Sequence, residues 1–254
     1  MRFALLGSGS EGNALVLQAG ATLLLLDCGF SVSETVRRLQ RLRLDAEMIS
    51  GILVTHEHSD HIGGVARLAR RFDLPVWMTH GTLRGREQTF AGVTVNEISP
   101  HQRFSIGNIE IQPCPVPHDT VEPVQYVLGN GVHRLGVLTD SGHITPHIET
   151  IFEACHALVL ECNHDAGMLR TGCYPASLKQ RVGGRFGHLN NQQAAEFLAR
   201  LDTGCLQHIV AAHLSAQNNT PELAVRALSA ALSCQEQEIA VATQAGGLDW
   251  RVIV

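Results

Sequence analysis

The residues best suited to chemistry form one short cluster, H-x-H-x-D-H, at positions 56–61. His56 and His58 lie two residues apart, so their side chains project to the same side of an extended backbone. Asp60 and His61 follow where the pattern turns helical, and they can face a second ion. These ligand types at this spacing indicate a site for two divalent ions about 3.5–4 Å apart. A histidine-rich surface loop is the alternative.

Three more ligand-type residues follow apolar segments later in the chain. His118 follows a proline-interrupted strand, Asp140 follows Val137–Thr139, and His213 follows Ile209–Ala212. Strand ends are rigid points from which side chains can meet at a shared rim. Each residue alone would more often be structural or exposed. Together with the first cluster, they supply the seven ligands that a dinuclear site can use.

The elements that must position these ligands belong to an ordinary globular chain. Of its 254 residues, 44% are hydrophobic and 17% are charged. The chain has no low-complexity tract, fixed-period repeat or obvious linker, so we predict a single domain over 1–254. Seven Cys without a C-x-x-C pair exclude a disulfide framework and a zinc ribbon. The 14 His are the unusual count, and they favour a metal site.

Charge and hydropathy limit the location and the partners. The formal net charge of −5 provides no bulk attraction to nucleic acid or membranes, although local patches can still act. The longest apolar run, Ala21–Leu26, is too short to span a bilayer. The first ten residues contain no signal-peptide core of sufficient length. We therefore expect a cytoplasmic protein without membrane contact, whose oligomeric state the sequence does not indicate.

Periodicity predicts strands in the middle of the chain and helices that follow strands near both ends. A helix is expected from the N-cap Ser31 to about Leu42, with Arg37, Arg38 and Arg41 facing outward. Further helices are predicted over 60–72, 191–201 and 221–232. Strands are predicted at 2–6, 14–19, 21–27, 50–55, 158–162 and 209–212, and short strands fill 75–140. Two closing segments occupy 239–242 and 249–254. This order predicts sheets covered by helices.

Longer motifs are similar to a known family. The order of H-x-H-x-D-H, a His, an Asp after a strand and a late His resembles the metallo-β-lactamase superfamily over nearly the whole chain. The resemblance is closer still to its YycJ (WalJ) group of small metallohydrolases, and two late segments are also similar to RNase Z enzymes. The matching segments are GSGSEGN at 7–13, THEHSDH at 55–61, LTDSGH at 138–143, ECNHD at 161–165, GHLNN at 187–191 and AHLSAQNNTP at 212–221. Glu11 and Gln125 depart from the pattern, and they leave the shape of the substrate pocket open.

The resemblance implies a fold and a division of the ligands. The fold is a four-layer αββα sandwich of two mixed β-sheets. One ion belongs to His56, His58 and His118, the other belongs to Asp60, His61 and His213, and Asp140 bridges them. His188 lies beside the metals as a proton donor or phosphate contact. Two divalent ions per chain are expected, Zn or Mn, with Fe as a third candidate.

These residues and the resemblance predict a dinuclear metal-dependent hydrolase, a phosphodiesterase or exonuclease acting on single-stranded DNA or RNA. A metal-activated hydroxide would attack phosphorus, Asp60 would orient the attacking water, and His188 would protonate the leaving oxygen. A structural role before Asn190 is the alternative for His188. A basic stretch leading into His188 either contacts phosphates or is a solvated surface: Arg170, Lys179, Arg181 and Arg185.

Other functions fit the same ligand set. Hydrolysis of a small cyclic phosphodiester, or of a thioester as in glyoxalase II, needs no different metal site. A non-catalytic, metal-binding regulatory module is the alternative from another class. The missing secretion signal disfavours an antibiotic-hydrolysing lactamase. His164 either lines the pocket or braces the backbone. The turn at 7–13 either places its N–H groups near a phosphate or is only a turn.

Overall fold

Two β-sheets of seven strands each form the centre of the computed structural model, which describes all residues 1–254. The strands are β1 (Arg2–Gly7), β2 (Ala14–Ala19), β3 (Thr22–Leu26), β4 (Gly51–Leu53), β5 (Val76–Thr79), β6 (Val95–Ile98), β7 (Phe104–Ile106), β8 (Ile109–Pro115), β9 (Val124–Gly129), β10 (Arg134–Leu138), β11 (Ala157–Glu161), β12 (His208–Ala212), β13 (Ile239–Val241) and β14 (Leu248–Val252). The helices are α1 (Val32–Arg41), α2 (Ser59–Ile62), α3 (Val65–Phe72), α4 (His80–Leu83), α5 (Pro146–Phe152), α6 (Ala166–Thr171), α7 (Ala176–Val182), α8 (Asn191–Leu198) and α9 (Pro221–Leu232).

Both sheets contain a run of parallel strands. The strand order is β14-β1-β2-β3-β4-β5-β6 in the first sheet and β13-β12-β11-β10-β9-β8-β7 in the second. Strands β3 to β6 run parallel to one another, and so do β10 to β13. Parallel neighbours end at the same edge of their sheet. The segments that follow these strands therefore come together, and they carry most of the predicted ligands.

Three apolar clusters separate the four layers. One joins the first sheet to α1 and α3 through residues such as Leu39 and Ile52. The second lies between the two sheets and contains Phe3 and Tyr126. The third joins the second sheet to α5, α8 and α9, with Phe197 fully buried. The predicted four-layer αββα sandwich of two mixed β-sheets is therefore confirmed.

The helix predicted over 60–72 is wrong as a single element. The chain forms α2 and α3 instead, with Gly63 and Gly64 between them. A Cβ atom on Gly64 would overlap the carbonyl oxygen of Phe30, so the backbone of the preceding loop packs directly against the break. Four further helices, α4, α5, α6 and α7, lie where periodicity predicts none.

Arg38 does not face outward as predicted. Its side chain is buried, with the guanidinium 4.1 Å from the centre of the Phe30 ring. Its Nη1 donates to the carbonyl oxygens of Leu6 at 2.6 Å and Gln244 at 2.9 Å. A long arginine stem packs on apolar surface while its head satisfies buried carbonyls, which helical periodicity alone does not reveal.

Candidate metal centre and substrate cleft

The seven predicted ligands lie together where strands of both sheets end. The segment after β4 contributes His56, His58, Asp60 and His61, the last two from α2. The ends of β8, β10 and β12 contribute His118, Asp140 and His213. The site therefore depends on the packing of one sheet against the other.

His56, His58 and His118 form one group whose ligand atoms all lie within 4.8 Å of one another. His118 Nε2 is 3.2 Å from His58 Nδ1. His56 Nε2 is buried and has no hydrogen-bond partner in the protein. Three converging imidazole nitrogens are a typical ligand set for a transition-metal ion.

Asp60, His61 and His213 form a second group of the same size. Asp60 Oδ2 lies 3.4 Å from His61 Nε2 and 3.5 Å from His213 Nε2. Both imidazoles are almost completely buried, whereas the Asp60 side chain is 20% exposed. This group therefore reaches solvent through its carboxylate.

Asp140 lies between the two groups. Its Oδ1 is 3.6 Å from His213 Nε2 and 3.9 Å from His118 Nε2. Its Oδ2 is 3.1 Å from His61 Nε2, but without hydrogen-bond geometry. A carboxylate whose oxygens face members of both groups has the placement that a bridging ligand requires.

Two of the histidines are held through the nitrogen that faces away from the centre. His61 Nδ1 donates to Asp27 Oδ2 at 2.8 Å, and His118 Nδ1 donates to the Gly187 carbonyl at 3.0 Å. These bonds set the tautomer and direct each Nε2 lone pair inward. Such outer hydrogen bonds are the usual support of metal-binding imidazoles.

Glu161, at the end of β11, supports the opposite side of the site. It is fully buried and accepts hydrogen bonds from His188 Nδ1 at 2.8 Å, Leu189 N at 3.0 Å and Ser141 N at 3.1 Å. His213 Nδ1 lies 3.3 Å from the same carboxylate. Burial acts to raise the pKa of Glu161, but His188 and His213 outweigh it and lower the pKa to about 2. Glu161 is therefore an anion that orients two histidines.

Sequence reasoning missed the roles of Asp27 and Glu161. Asp27 accepts hydrogen bonds from Thr55 N and Thr55 Oγ1, each at 2.8 Å, besides the bond from His61. A usable signal was present, because each carboxylate ends an apolar strand segment in the way that Asp140 does. The same criterion that selected Asp140 would have selected both.

His188 lines the cleft and stacks on His213, with ring centres 5.4 Å apart. Its Nδ1 is bound to Glu161, and its Nε2 has no partner within the protein. Burial acts to lower the pKa of His188, but Glu161 and Asp140 raise it above the ordinary value. The helix that follows is capped by Asn190, whose side chain accepts from Gln193 N at 2.9 Å, so α8 does not need His188 as a cap.

Three residues of the site have a left-handed backbone conformation. The φ angles are +59° for Asp27, +52° for Asp140 and +56° for His213. This region costs a non-glycine residue about 1–3 kcal/mol, although Asp tolerates it better than most. His213 is held there by its own N–H, which donates to Ser8 Oγ at 2.8 Å. The surrounding contacts therefore impose the positions of these side chains.

The residues present fit a pair of divalent ions. The buried atoms His56 Nε2, His213 Nε2 and Asp140 Oδ2 have no hydrogen-bond partner within the protein. Buried polar atoms without partners are rare and costly. Here they converge, and they are of the nitrogen and oxygen types that Zn or Mn accepts. Bound ions would supply the missing partners.

Removing metal is expected to lower the thermal midpoint of unfolding. Ligands from both sheets bind only in the folded state, so ions at about 100 times their Kd add about 2.7 kcal/mol per site. For a chain of this size we expect an increase of at least about 5 °C when Zn²⁺ or Mn²⁺ is restored to chelated protein. Differential scanning calorimetry measures this shift. Equal midpoints with and without metal would contradict the fit.

Gly29→Ala is expected to disturb the loop that carries Asp60. A Cβ on Gly29 would overlap the carbonyl oxygen of Asp60, which also accepts from Asn13 N at 2.7 Å. Overpacking of this kind costs about 1–3 kcal/mol. We expect a matching loss in urea unfolding and a lower metal content by elemental analysis. Gly204→Ala, in an exposed loop, is the control that should change neither, and an unchanged Gly29→Ala protein would refute the prediction.

The turn at 7–13 has little capacity left to bind a phosphate. The N–H groups of Ser8, Gly9, Glu11 and Gly12 donate within the protein, and Asn13 N donates to Asp60 O. The turn instead braces the site, since the Asn13 side chain also lies 3.2 Å from Asp60 Oδ2. Ser10 is the exception in this turn, because its N–H has no partner in the protein and the residue lines the cleft. A phosphate contact at this one N–H therefore stays a prediction.

His164 braces the backbone and does not line the cleft. It is buried, its carbonyl accepts from Asn191 N at 3.0 Å, and its Nδ1 is 3.3 Å from Asn163 Oδ1. Burial lowers the pKa of His164 to about 4, so this imidazole is neutral near pH 7. Glu11 and Gln125, the two departures from the family pattern, are also absent from the lining of the cleft.

A cleft of about 330 Å³ opens onto the ligand groups. His58, Asp60, Asp140, His188 and His213 are among the residues that line it. Residues of α7 and of the segment just before it also line the cleft. A volume near 300 Å³ is at the small end of ligand sites and suits one nucleotide-sized group.

Two members of the predicted basic stretch have partners in the protein. Arg181 Nε donates to Asp119 Oδ2 at 2.6 Å, and Lys179 Nζ donates to the Arg170 carbonyl at 2.9 Å. Arg185 is exposed. Only Arg181 of these four lines the cleft. The ion pair with Asp119 ties α7 to the segment that carries His118.

Comparison with known proteins identifies the family. A profile described as "Beta-lactamase superfamily domain" matches residues 22–213, which include all seven candidate ligands. The chain belongs to the metallo-β-lactamase superfamily. The predicted family is thereby confirmed, and with it the prediction of a metal-dependent hydrolase.

Two curated proteins are similar in sequence to this chain over most of its length. "Exodeoxyribonuclease YycJ" of Bacillus anthracis is 37% identical over 235 residues, covering 91% of this chain and 89% of the relative. "Exodeoxyribonuclease WalJ" of Streptococcus pneumoniae is 33% identical over 228 residues, covering 88% and 85%. The predicted similarity to the YycJ (WalJ) group is confirmed.

Solved structures share the fold of this superfamily member. The metallo-β-lactamase fold protein YhfI of Bacillus subtilis has a TM-score of 0.77 at 18% identity and covers 98% of each chain. The short form of human tRNase Z has a TM-score of 0.69 at 18% identity and covers 100% of each chain. At these identities the likeness establishes the fold alone.

The helices of this superfamily member are all short. The longest, α9, has 12 residues. None of them has the length and apolar character that crossing a membrane requires.

Proposed function

We propose that this superfamily member is an exonuclease that shortens single-stranded nucleic acid with two divalent ions. The observation that carries the proposal is the group of seven ligand-type residues, five of them buried, that opens into one nucleotide-sized cleft beside His188. The names of the relatives from B. anthracis and S. pneumoniae support DNA as the first substrate to test. Cytoplasmic location stays a prediction from the sequence.

The division of the ligands follows their grouping. We assign one ion to His56, His58 and His118 and the other to Asp60, His61 and His213, with Asp140 between them. His, Asp and water ligation accepts Zn or Mn, and also Fe. When bound, such a pair of ions supplies a water of lowered pKa and neutralises charge on the phosphate oxygens.

The side chains of this protein position the reactants. Asp60 is the partly exposed carboxylate of the centre, placed to accept a hydrogen bond from the attacking water and to orient it. Glu161 holds His188 Nδ1, so His188 Nε2 is the atom that can donate a proton. The leaving oxygen of a phosphodiester needs that proton, and general acid catalysis of this kind contributes about 10²–10⁴-fold.

A degradation assay on end-labelled single-stranded DNA and RNA tests the proposal. Wild type and Asp60→Ala are compared after reconstitution with Mn²⁺ or Zn²⁺. We expect stepwise shortening by wild type alone, and the labelled end identifies the direction of degradation. A variant that retains activity would remove Asp60 from the mechanism.

Absence of cleavage by metal-loaded wild type would refute nuclease activity. Elemental analysis must first establish two ions per chain. A panel of cyclic nucleotides and thioesters would then decide between the remaining hydrolase functions. A protein that binds metal but hydrolyses nothing on this panel would support a regulatory metal-binding module.

A further inference from the structure

The hydrophobic side chains that line the cleft come from one segment of the chain. They are Tyr174, Leu178 and Val182, and we call them the apolar wall. Tyr174 precedes α7, whereas Leu178 and Val182 lie on it. The spacing of four residues places Leu178 and Val182 on one face of α7, and Tyr174 lines the same cleft from the segment before the helix. The rest of the lining is polar, charged or glycine.

We propose that the apolar wall binds the nucleobase of the nucleotide whose phosphate lies at the metal centre, with Tyr174 providing the stacking face. This inference rests on the proposed function and extends it to the substrate. A phosphodiester placed on the ligand groups directs its sugar and base away from them. The apolar wall is the part of the cleft that suits a flat, apolar ring.

Hydrogen bonds and close packing fix the position of the apolar wall relative to His188. The Val182 carbonyl accepts from His188 N at 2.9 Å, and Arg181 pairs with Asp119. A Cβ on Gly187 would overlap the carbonyls of Arg181 and Val182, so the loop before His188 packs tightly on the end of α7. A base on this wall is therefore at a defined position relative to His188.

The chemistry of the wall indicates binding without sequence preference. Aliphatic and aromatic faces stack with every base, whereas base identity is read by hydrogen bonds to base edges. The wall offers only the Tyr174 hydroxyl as a hydrogen-bonding group. The volume of about 330 Å³ also matches one nucleotide-sized group. Both features favour the end of a single strand.

Kinetics on oligonucleotides with single abasic sites test this assignment. A tetrahydrofuran abasic residue is moved through the terminal three positions, and kcat/KM is measured for wild type, Tyr174→Ala and Tyr174→Phe. Base–aromatic stacking predicts about a 5- to 150-fold loss for Tyr174→Ala on the normal strand. Wild type should show a similar loss for the abasic residue at one position. Tyr174→Ala should lose little more there, and Tyr174→Phe should resemble wild type.

Three outcomes separate the possible failures. Tyr174→Ala with wild-type kinetics, or with equal losses on normal and abasic strands, would overturn the base-binding role while the nuclease function stands. A specific loss of equal size in Phe186→Ala, an exposed aromatic outside the lining of the cleft, would also overturn it. If metal-loaded wild type cleaves no oligonucleotide, the proposed function fails and this inference fails with it. Metal content should be equal in all variants.

Discussion

Asp140→Ala is expected to lower phosphodiester hydrolysis by at least about a thousandfold. Asp140 faces both ligand groups and is buried, so its loss removes the one carboxylate that the two groups share. A metal centre supplies several kcal/mol of transition-state stabilisation, and each 1.4 kcal/mol is tenfold in rate. Steady-state kcat/KM and elemental analysis on the same preparation measure the effect, and we expect metal content to fall with activity.

Two further variants are needed to interpret the result for Asp140→Ala. Asp140→Asn keeps the shape and tolerates the left-handed backbone, yet it lacks the charge, so its activity should fall nearly as far. Asp249→Ala removes a carboxylate that is 87% exposed and should leave the rate unchanged. An Asp140→Ala protein with normal metal content and normal kcat/KM would refute the bridging role.

His188→Ala is expected to lower kcat on DNA by about 10²–10⁴-fold while both ions are retained. The reason is geometric: Glu161 fixes Nδ1, and Nε2 has no partner within the protein and can meet the leaving oxygen. A p-nitrophenyl phosphodiester has a leaving group that needs no proton, so the same variant should lose much less on it. Comparing the two substrates isolates proton donation from general damage.

The possible contradictions point to different roles. His188, Asp140, Glu161 and His213 form a further group whose ligand atoms all lie within 4.8 Å of one another. Loss of metal in His188→Ala would therefore indicate that His188 is a metal ligand. Equal losses on both phosphodiesters would assign it to substrate binding. His147→Ala, an exposed histidine on α5, is the matched control and should leave both rates unchanged.

The clustered candidate ligands could be found from the sequence because their signals are local. His56 to His61 lie within six residues, and Asp140 and His213 each follow an apolar strand. Strands that run parallel in a sheet end at the same edge, so ligand-type residues that follow such strands are expected to lie close together. The order of strands and helices predicted only sheets covered by helices, and the four layers came from the family resemblance.

A strand-end carboxylate such as Asp27 or Glu161 can be found locally, but the histidine with which it pairs cannot. Asp27 and His61 are 34 residues apart, and Glu161 and His188 are 27 apart. Arg38 has the sequence surroundings of an exposed helical residue, but the carbonyls of Leu6 and Gln244 draw it inward. These partners become neighbours only after the sheets have packed.

The helix α7 was missed for a related reason. Periodicity detects a helix by the face that it buries, and α7 has no buried residue. Its apolar residues Leu178 and Val182 face the cleft instead of a core cluster. A helix that buries no face lacks the apolar stripe by which periodicity finds amphipathic helices.

The absence of buried side chains in α7 also bears on how new specificities can arise. Most destabilising substitutions act through cores, cavities or buried polar groups. Changes at Leu178 or Val182 touch none of the three core clusters, so they should cost little folding stability. The seven candidate metal ligands lie outside α7, so such changes would not alter them. Divergent members of such a lineage can therefore exchange one substrate for another by mutating this helix, without first accumulating compensating changes elsewhere.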